Sequence, residues 1–291
     1  MIGRRERGRP TEDPALAAGS PILDIVGVDY HYPGGVQALS GVNLTLQAQE
    51  VVAIVGPSGC GKSTLLGLVA GLINPTAGSL KWGINATEAR NADRRRLAMV
   101  FQRDTVLAWR TVEANVRFGM EFLSISESER QERVEDLLRL GNLLEFRKAH
   151  PRQLSGGMRR RLGLLMALAV RPSVLLLDEP FSALDEPTRV GLSSDVLKLA
   201  YEYGVTVVLV THDLGEAISI ADRVIVMSSR PATVQHSVEV GFGHDRNVFT
   251  LREHPEFGEL YAELWRELRK AIGVGDGPDA DIVAAEAGLT I

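Results

Sequence analysis

The sequence predicts an α/β fold in which a parallel sheet is flanked by helices. Three short runs carry this prediction: residues 51–55, 174–177 and 205–211 are almost entirely apolar and rich in β-branched or leucine side chains. Such runs are typical of strands buried on both faces of a parallel sheet. Polar residues follow each run, so we expect them to meet at the carboxyl edge of the sheet.

Eight residues that follow the first run match the phosphate-binding pattern G-x-x-x-x-G-K-S. Glycines let the backbone curl, so that several N–H groups and the start of the next helix point toward one phosphate chain. Lys62 would place a charge at the β- and γ-phosphates, and the Ser63 hydroxyl would be a ligand of Mg²⁺. The implied ligands are ATP and Mg²⁺, and the predicted nucleotide-binding residues are Gly56, Pro57, Ser58, Gly59, Cys60, Gly61, Lys62, Ser63 and Thr64.

Two carboxylates follow the run at residues 174–177. At the carboxyl end of a buried strand, Asp178 and Glu179 would emerge in the crevice where α/β folds bind ligands. Asp178 is expected to hold the water shell of Mg²⁺. Glu179 is expected to orient the attacking water or accept its proton, and a positioned base is worth about 10²–10⁴ in rate.

A second anion-binding element begins after Leu154, where Ser155, Gly156 and Gly157 open an amphipathic helix. The start of a helix presents free N–H groups and a positive dipole to an anion. This element has no phosphate loop of its own beside it. The chain therefore holds two halves of a split nucleotide site, and the halves must come from two copies that face each other.

With the remaining segments, the expected fold resembles that of the P-loop NTPases, with a RecA-like parallel sheet, an antiparallel β layer and a helical insert. Short strands such as 23–26 and 42–46 predict the antiparallel layer, and a capping box at Ser128–Gln131 predicts a helix in the insert. The expected organisation is a disordered tail over 1–20, an ATPase domain over 22–240 with its insert at about 103–165, a helical extension over 241–272 and a flexible acidic tail over 273–291.

Composition excludes several other classes of protein. A net charge of −5, from 32 basic and 37 acidic residues, argues against a nucleic-acid partner. The basic triplets at 94–96 and 159–161 are expected to be solvated or to contact acidic neighbours.

No apolar run approaches the roughly eighteen residues of a spanning helix, and the arginine-rich start lacks the apolar segment of a secretory signal. Membrane association would therefore need a partner.

Cys60 is the only cysteine, so the chain has no intrachain disulfide and is expected in a reducing compartment. Its place in the phosphate loop suggests that nearby N–H groups could lower the pKa of its thiol. Many loops of this type accept any small residue at this position. We therefore interpret the cysteine as incidental to the chemistry.

These motifs, in this order, resemble those of the ATP-binding cassette (ABC) ATPases over roughly residues 22–270. The resemblance implies that Tyr32 stacks on adenine, that Gln102 contacts Mg²⁺ and the attacking water, and that His212 contacts the γ-phosphate. Asp185, in the loop 182–185, would communicate across the dimer. The predicted catalytic residues are then Glu179, His212, Gln102 and Lys62, and the predicted metal ligands are Ser63, Gln102 and Asp178.

Within this family the chain is similar to ATPase subunits of importers for nitrate, sulfonates, taurine and related small anions. The narrower match is carried by the segments 32–39, 100–102 with Trp109, 154–159, 178–185, 211–217 and 222–224. Gln49 stands where the family commonly has glycine, and Arg160 where it commonly has glutamine. Further departures are Ala108, Met158 and Met166.

The resemblance implies an importer ATPase at the cytoplasmic face of the inner membrane. Its partners would be a second copy, permease subunits that dock in a groove beside Gln102 and, indirectly, a solute-binding protein. The alternatives are an ABC ATPase that energises lipid extraction or envelope remodelling, and a nucleotide sensor with little turnover. The short interval between Gln102 and Leu154 excludes a long coiled-coil insert, and a single phosphate loop excludes the tandem translation-factor type.

Overall fold

A computed structural model describes residues 18–83, 97–102, 105–182 and 184–273. Most of the two predicted tails, the basic triplet at 94–96 and Ala183 lie outside the described residues. The strands are β1 (Pro21–His31), β2 (Gln37–Gln47), β3 (Val51–Val55), β4 (Ala77–Trp82), β5 (Leu97–Val100), β6 (Val174–Asp178), β7 (Thr206–Val210), β8 (Arg223–Met227) and β9 (Val234–Glu239). The α-helices are α1 (Lys62–Val69), α2 (Val112–Phe118), α3 (Glu127–Leu140), α4 (Gly156–Ala169), α5 (Glu186–Tyr203), α6 (Leu214–Ile220) and α7 (Pro255–Ala271).

The larger sheet has its strands in the order β5-β6-β7-β3-β8-β9. Its first five strands are parallel, and β9 is antiparallel to β8. Every residue of β3 and β7 is buried, as expected for central strands that are covered on both faces. Because the strands are parallel, the loops after β3, β5, β6 and β7 lie along one edge. The predicted α/β fold is confirmed.

The smaller sheet is the predicted antiparallel layer, with its strands in the order β2-β1-β4. Its buried residues, such as Leu23 and Leu39, share one apolar cluster with Val52 and Ile54 of β3. This shared cluster packs the layer against the parallel sheet. Since β1 ends at His31, the chain leaves the layer just before Tyr32.

The turn that enters β3 would suit the glycine that the resemblance implies at position 49. Gln49 has a φ of 63°, in the left-handed region. A side chain in this region costs about 1–2 kcal/mol. The Gln49 N–H donates to the Thr206 hydroxyl at 2.9 Å, which ties the turn to the start of β7.

The start of helix α3, inside the insert, differs from the predicted one. Helix α3 begins at Glu127, and its N-cap is Ser126, whose hydroxyl accepts from the Glu129 N–H at 3.1 Å. The predicted cap, Ser128, lies within the first turn and is wrong by two residues. The S-x-x-E pattern also fits at position 126, and a cap must have extended backbone, which Ser126 has with φ −65° and ψ 156°.

Helix α7 lies within the segment 241–272, for which a helical extension is predicted. One face of α7 buries Phe257, Leu264 and Leu268 in the apolar cluster that also contains Val51 of β3. The extension is thus packed on the same core as the phosphate-loop strand. None of the described helices is long and apolar enough to cross a membrane.

Candidate active site

The loop between β3 and α1 has the glycine-dependent backbone that the phosphate-binding pattern requires. Gly59 and Gly61 have φ of 70° and 133°. A Cβ on Gly61 would lie 2.9 Å from the Leu39 side chain and 3.1 Å from the Ala38 carbonyl oxygen. The antiparallel layer closes over this position, so only glycine fits there.

Lys62 lies within the curve of this loop. Its side chain is buried, and Nζ donates to the carbonyl oxygens of Gly56 at 2.7 Å and Pro57 at 3.0 Å. These acceptors are neutral dipoles rather than carboxylates. The charge of Lys62 is therefore presented to an anion that enters the loop.

The structure brings together two of the predicted metal ligands, Ser63 and Asp178. The Ser63 hydroxyl donates to Asp178 Oδ1 at 2.9 Å, although the residues lie far apart in sequence. Burial raises the pKa of the Asp178 carboxyl, and the hydrogen bond from Ser63 opposes this shift. A half-buried carboxylate beside a hydroxyl is the hard oxygen donor set that Mg²⁺ prefers, so the residues fit this ion.

Glu179 lies between two other predicted catalytic residues. Gln102 Nε2 donates to Glu179 Oε2 at 2.9 Å, and His212 Nδ1 is 3.5 Å from the same oxygen. Glu179 has a φ of 45°, a conformation that costs a non-glycine residue about 1–3 kcal/mol and is concentrated at functional sites. The Ser182 hydroxyl supports this turn by donating to the Glu179 carbonyl at 2.9 Å.

Tyr32 reaches the helix that follows the phosphate loop. Its hydroxyl is 2.6 Å from the Thr64 hydroxyl, and 42% of the residue is exposed. Tyr30 is buried and packs edge-on against Tyr32, with ring centroids 5.1 Å apart. The exposed ring beside the loop is therefore Tyr32, and its contact with adenine stays a prediction.

The serine and glycines of the second anion-binding element lie at the start of α4, as predicted. The Ser155 hydroxyl accepts from the Met158 N–H at 3.2 Å and so caps its own helix. A Cβ on Gly157 would lie 2.5 Å from Thr188 Cγ2, so this glycine is required for the close packing of α4 on α5. Among the described residues of one chain, the Ser155 side chain forms its hydrogen bond with the first turn of α4 and not with Lys62.

Asp185 has a structural role within its own chain. It is the N-cap of α5, and its carboxylate accepts from the Thr188 N–H at 3.2 Å and the Thr188 hydroxyl at 3.0 Å. These bonds lower the pKa of the Asp185 carboxyl. The predicted contact of Asp185 across a dimer stays a prediction.

The expectation for the Cys60 thiol is wrong in direction. Cys60 is buried, and burial raises the pKa of its thiol, although the nearby Lys62 charge opposes the shift. Desolvation of the thiolate therefore outweighs the favourable charge and N–H groups of the loop.

The described basic triplet contacts an acidic neighbour, as expected, and also backbone oxygens. Arg161 is 3.1 Å from Asp195 on α5. Arg159 donates to the Leu154 carbonyl at 2.8 Å, and Arg160 donates to the Phe101 and Gln102 carbonyls. Two of the three guanidiniums are thus directed to backbone oxygens around the site.

Glu216 is a residue that the sequence indicated only as part of a matching segment. It lies in the first turn of α6 and is almost completely buried. Burial and the nearby Asp213 carboxylate raise the pKa of Glu216 to about 8. Its Oε1 has no hydrogen-bond partner among the described residues, which favours the uncharged form. The signal available in the sequence is that Glu216 is the only charged residue of this short helix.

We expect Glu216→Gln to reduce the pH dependence of stability. Because the pKa of Glu216 is raised from 4.5 to about 8, its contribution to the free energy of unfolding is fully present below pH 4.5 and is lost as pH rises through 8. Glutamine has no proton to lose. The variant should match the wild type near pH 5 and be more stable by about 2–4 kcal/mol near pH 8.5.

Calorimetric melting of the wild type and Glu216→Gln across this pH range measures the effect. Glu132→Gln, at an exposed position on α3, is the matched control. Parallel curves for wild type and Glu216→Gln would contradict the assigned protonation.

The sequence and the structure are similar to known ATP-binding cassettes. The family model for ABC transporters matches residues 39–182. The chain is 39% identical to the taurine import ATP-binding protein TauB of Roseobacter denitrificans over 83% of this chain and 91% of that protein. It is 37% identical to the nitrate import ATP-binding protein NrtD of a Synechocystis species over 85% of this chain and 94% of that protein.

Among solved structures, the chain is similar to the ATP-binding cassette MJ0796 in its dimeric post-hydrolysis state bound to ADP and Pi. The TM-score is 0.65 at 31% identity, over 75% of this chain and 99% of that chain. The fold is also that of cbiO1 from Clostridium perfringens, with a TM-score of 0.67 at 24% identity over 85% of this chain and 97% of that chain.

Proposed function

The chain belongs to the ABC transporter family of ATP-binding proteins, and we propose that it is the ATP-hydrolysing subunit of an importer for a small anion. One observation supports the part of the proposal that concerns ATP hydrolysis. Glu179 accepts a hydrogen bond from Gln102 and lies 3.5 Å from His212, at the same sheet edge as the Ser63–Asp178 pair. A base, its neighbours and a candidate cation site are thus assembled beside a phosphate loop.

Each residue of this edge has a role in hydrolysis. Lys62 and the loop N–H groups bind the β- and γ-phosphates. Ser63, Asp178 and Gln102 would hold Mg²⁺, which would neutralise phosphate charge. Glu179 orients the attacking water and accepts its proton, and His212 contacts the γ-phosphate.

A complete site needs a second copy of the chain. Two copies would sandwich two ATP molecules, with each γ-phosphate between Lys62 of one copy and Ser155 and Gly157 of the other. The N–H groups at the start of α4 would then stabilise charge that develops on the phosphate. The solved MJ0796 cassette is dimeric, which supports this arrangement.

The helical insert and the end of β5 offer a surface for the permease. Trp109 and Phe122 are 76% and 77% exposed, and Phe101 is 40% exposed. Aromatic side chains are enriched in protein–protein interfaces relative to the rest of the surface. We place a short permease helix in the groove beside Gln102, and hence this subunit at the cytoplasmic face of the inner membrane, with a solute-binding protein on the far side.

The relatives named above support a taurine- or nitrate-like solute, and they support import rather than lipid extraction or envelope remodelling. A growth experiment tests the proposal. Deletion of the gene should abolish growth on taurine as the sole sulfur source, or on nitrate as the sole nitrogen source, while growth on sulfate and ammonium is unchanged. The wild-type gene should restore growth, and the Lys62→Ala gene should not. Unimpaired growth on both solutes, or an envelope defect alone, would contradict import of these anions.

A further inference from the structure

The guanidinium of Arg160 connects α4 to the chain segment that bears Gln102. Its Nη1 donates to the Phe101 carbonyl at 3.1 Å, and its Nη2 donates to the Gln102 carbonyl. Arg160 lies in the second turn of α4, the helix that Ser155 caps. One side chain of the insert is therefore bonded to two successive peptide groups of the parallel-sheet domain.

These two peptide groups flank the Cα of Gln102, so their position sets the position from which the Gln102 side chain extends. Gln102 lies two residues beyond the end of β5, in non-strand backbone at the edge of the sheet. Its amide donates to Glu179 Oε2 at 2.9 Å. A displacement of the Gln102 backbone by about 1 Å would move this donor out of ideal hydrogen-bond range.

Arginine suits this contact better than the glutamine that the family commonly has. Its planar guanidinium presents five N–H donors in a rigid fork. Two of these donors meet two carbonyl oxygens that point from adjacent peptides. Glutamine has one amide nitrogen on a shorter side chain, and alanine has no donor.

We propose that Arg160 is a positioning residue, which holds the Gln102 backbone so that the Gln102 amide meets the catalytic base Glu179. The proposal rests on the proposed ATPase function. It also connects two half sites within one chain, because the helix that carries Arg160 presents Ser155 to the second copy. A movement of α4 on dimer closure would reach Glu179 through Arg160 and Gln102.

A double-mutant cycle on the full chain tests the proposal, with turnover at saturating ATP and KM for ATP as the readouts. Arg160→Ala should lower kcat about five- to tenfold with KM changed less than about twofold, because the Lys62 loop is untouched. In a Gln102→Ala background the same change should lower kcat less than about twofold, since Arg160 acts through Gln102. Arg160→Lys, which keeps the charge and reaches one carbonyl, should recover part of the loss.

Arg139→Ala is the control, because Arg139 is an exposed arginine of the same insert that pairs with Glu135 and Asp136 on α3. It should leave kcat unchanged in both backgrounds. Thermal unfolding of each variant reports on folding separately from turnover. An Arg160→Ala loss of equal size with and without Gln102, or no loss at all, would overturn the positioning role. Absence of wild-type turnover would instead refute the proposed function.

Discussion

Glu179→Gln should bind ATP, form a stable dimer and hydrolyse about 10²–10⁴-fold more slowly than the wild type. The amide has nearly the shape of the carboxylate, so it can still accept from Gln102 and occupy the same turn at φ 45°. It cannot accept the proton of the attacking water. It also removes a negative charge that repels the triphosphate, so ATP should be retained.

Two measurements check this expectation. Steady-state release of phosphate reports the loss of turnover, and size-exclusion chromatography with light scattering reports a dimer that depends on ATP. Glu135→Gln is the control, because Glu135 is an acid on α3 that pairs with the exposed Arg139. Wild-type turnover by Glu179→Gln would contradict the assignment of Glu179 as the base. A variant that is arrested in hydrolysis but stays monomeric with ATP would contradict the two-copy site.

The second large effect is expected at Ser155. Aspartate caps a helix about as well as serine, so Ser155→Asp should keep α4 folded. If the α4 start faces a γ-phosphate of the second copy, a carboxylate about 4 Å from it costs about 4 kcal/mol at an effective dielectric near 20. That cost corresponds to a loss of about 10³ in turnover. Ser155→Asn, a neutral cap of similar size, should retain far more activity.

Mixing variants separates this effect from any defect within one chain. A Ser155→Asp chain and a Lys62→Ala chain are each expected to be inactive as homodimers. Their heterodimer has one intact site, with Lys62 from the first chain and Ser155 from the second. Random pairing should therefore restore about a quarter of the wild-type turnover per chain. A mixture as inactive as its components, or a fully active Ser155→Asp homodimer, would show that Ser155 does not complete the partner's site.

Much of this candidate site could be predicted from the sequence, because its residues lie in short contiguous motifs. The phosphate loop needs glycines and a lysine at fixed spacing, and a buried strand must end where Asp178 and Glu179 begin. The order of the parallel strands then brings Gln102, Glu179 and His212 to one edge. The start of α4 at Ser155 could be predicted in the same way, from a serine and two glycines that precede an amphipathic segment.

Other features were predicted wrongly or missed, and each depends on burial or on contacts between distant segments. Ser126 rather than Ser128 caps α3. Both serines are followed three residues later by Glu or Gln, so the backbone conformation decides which of them is the cap. The pKa of the Cys60 thiol is raised because desolvation outweighs nearby charge. The raised pKa of Glu216 comes from its burial, which the local sequence does not show.

The sequence by itself determined the fold class, the family and the residues that we propose to bind phosphate, because local patterns of polarity and glycine spacing encode strands, loops and helix starts. Only the tertiary structure decided which of these groups meet: Ser63 with Asp178, Gln102 with Glu179, and Arg160 with the backbone that carries Gln102. The physical reason is that hydrogen bonds and desolvation depend on distances in space, and these are set by the packing of the whole chain rather than by any one segment.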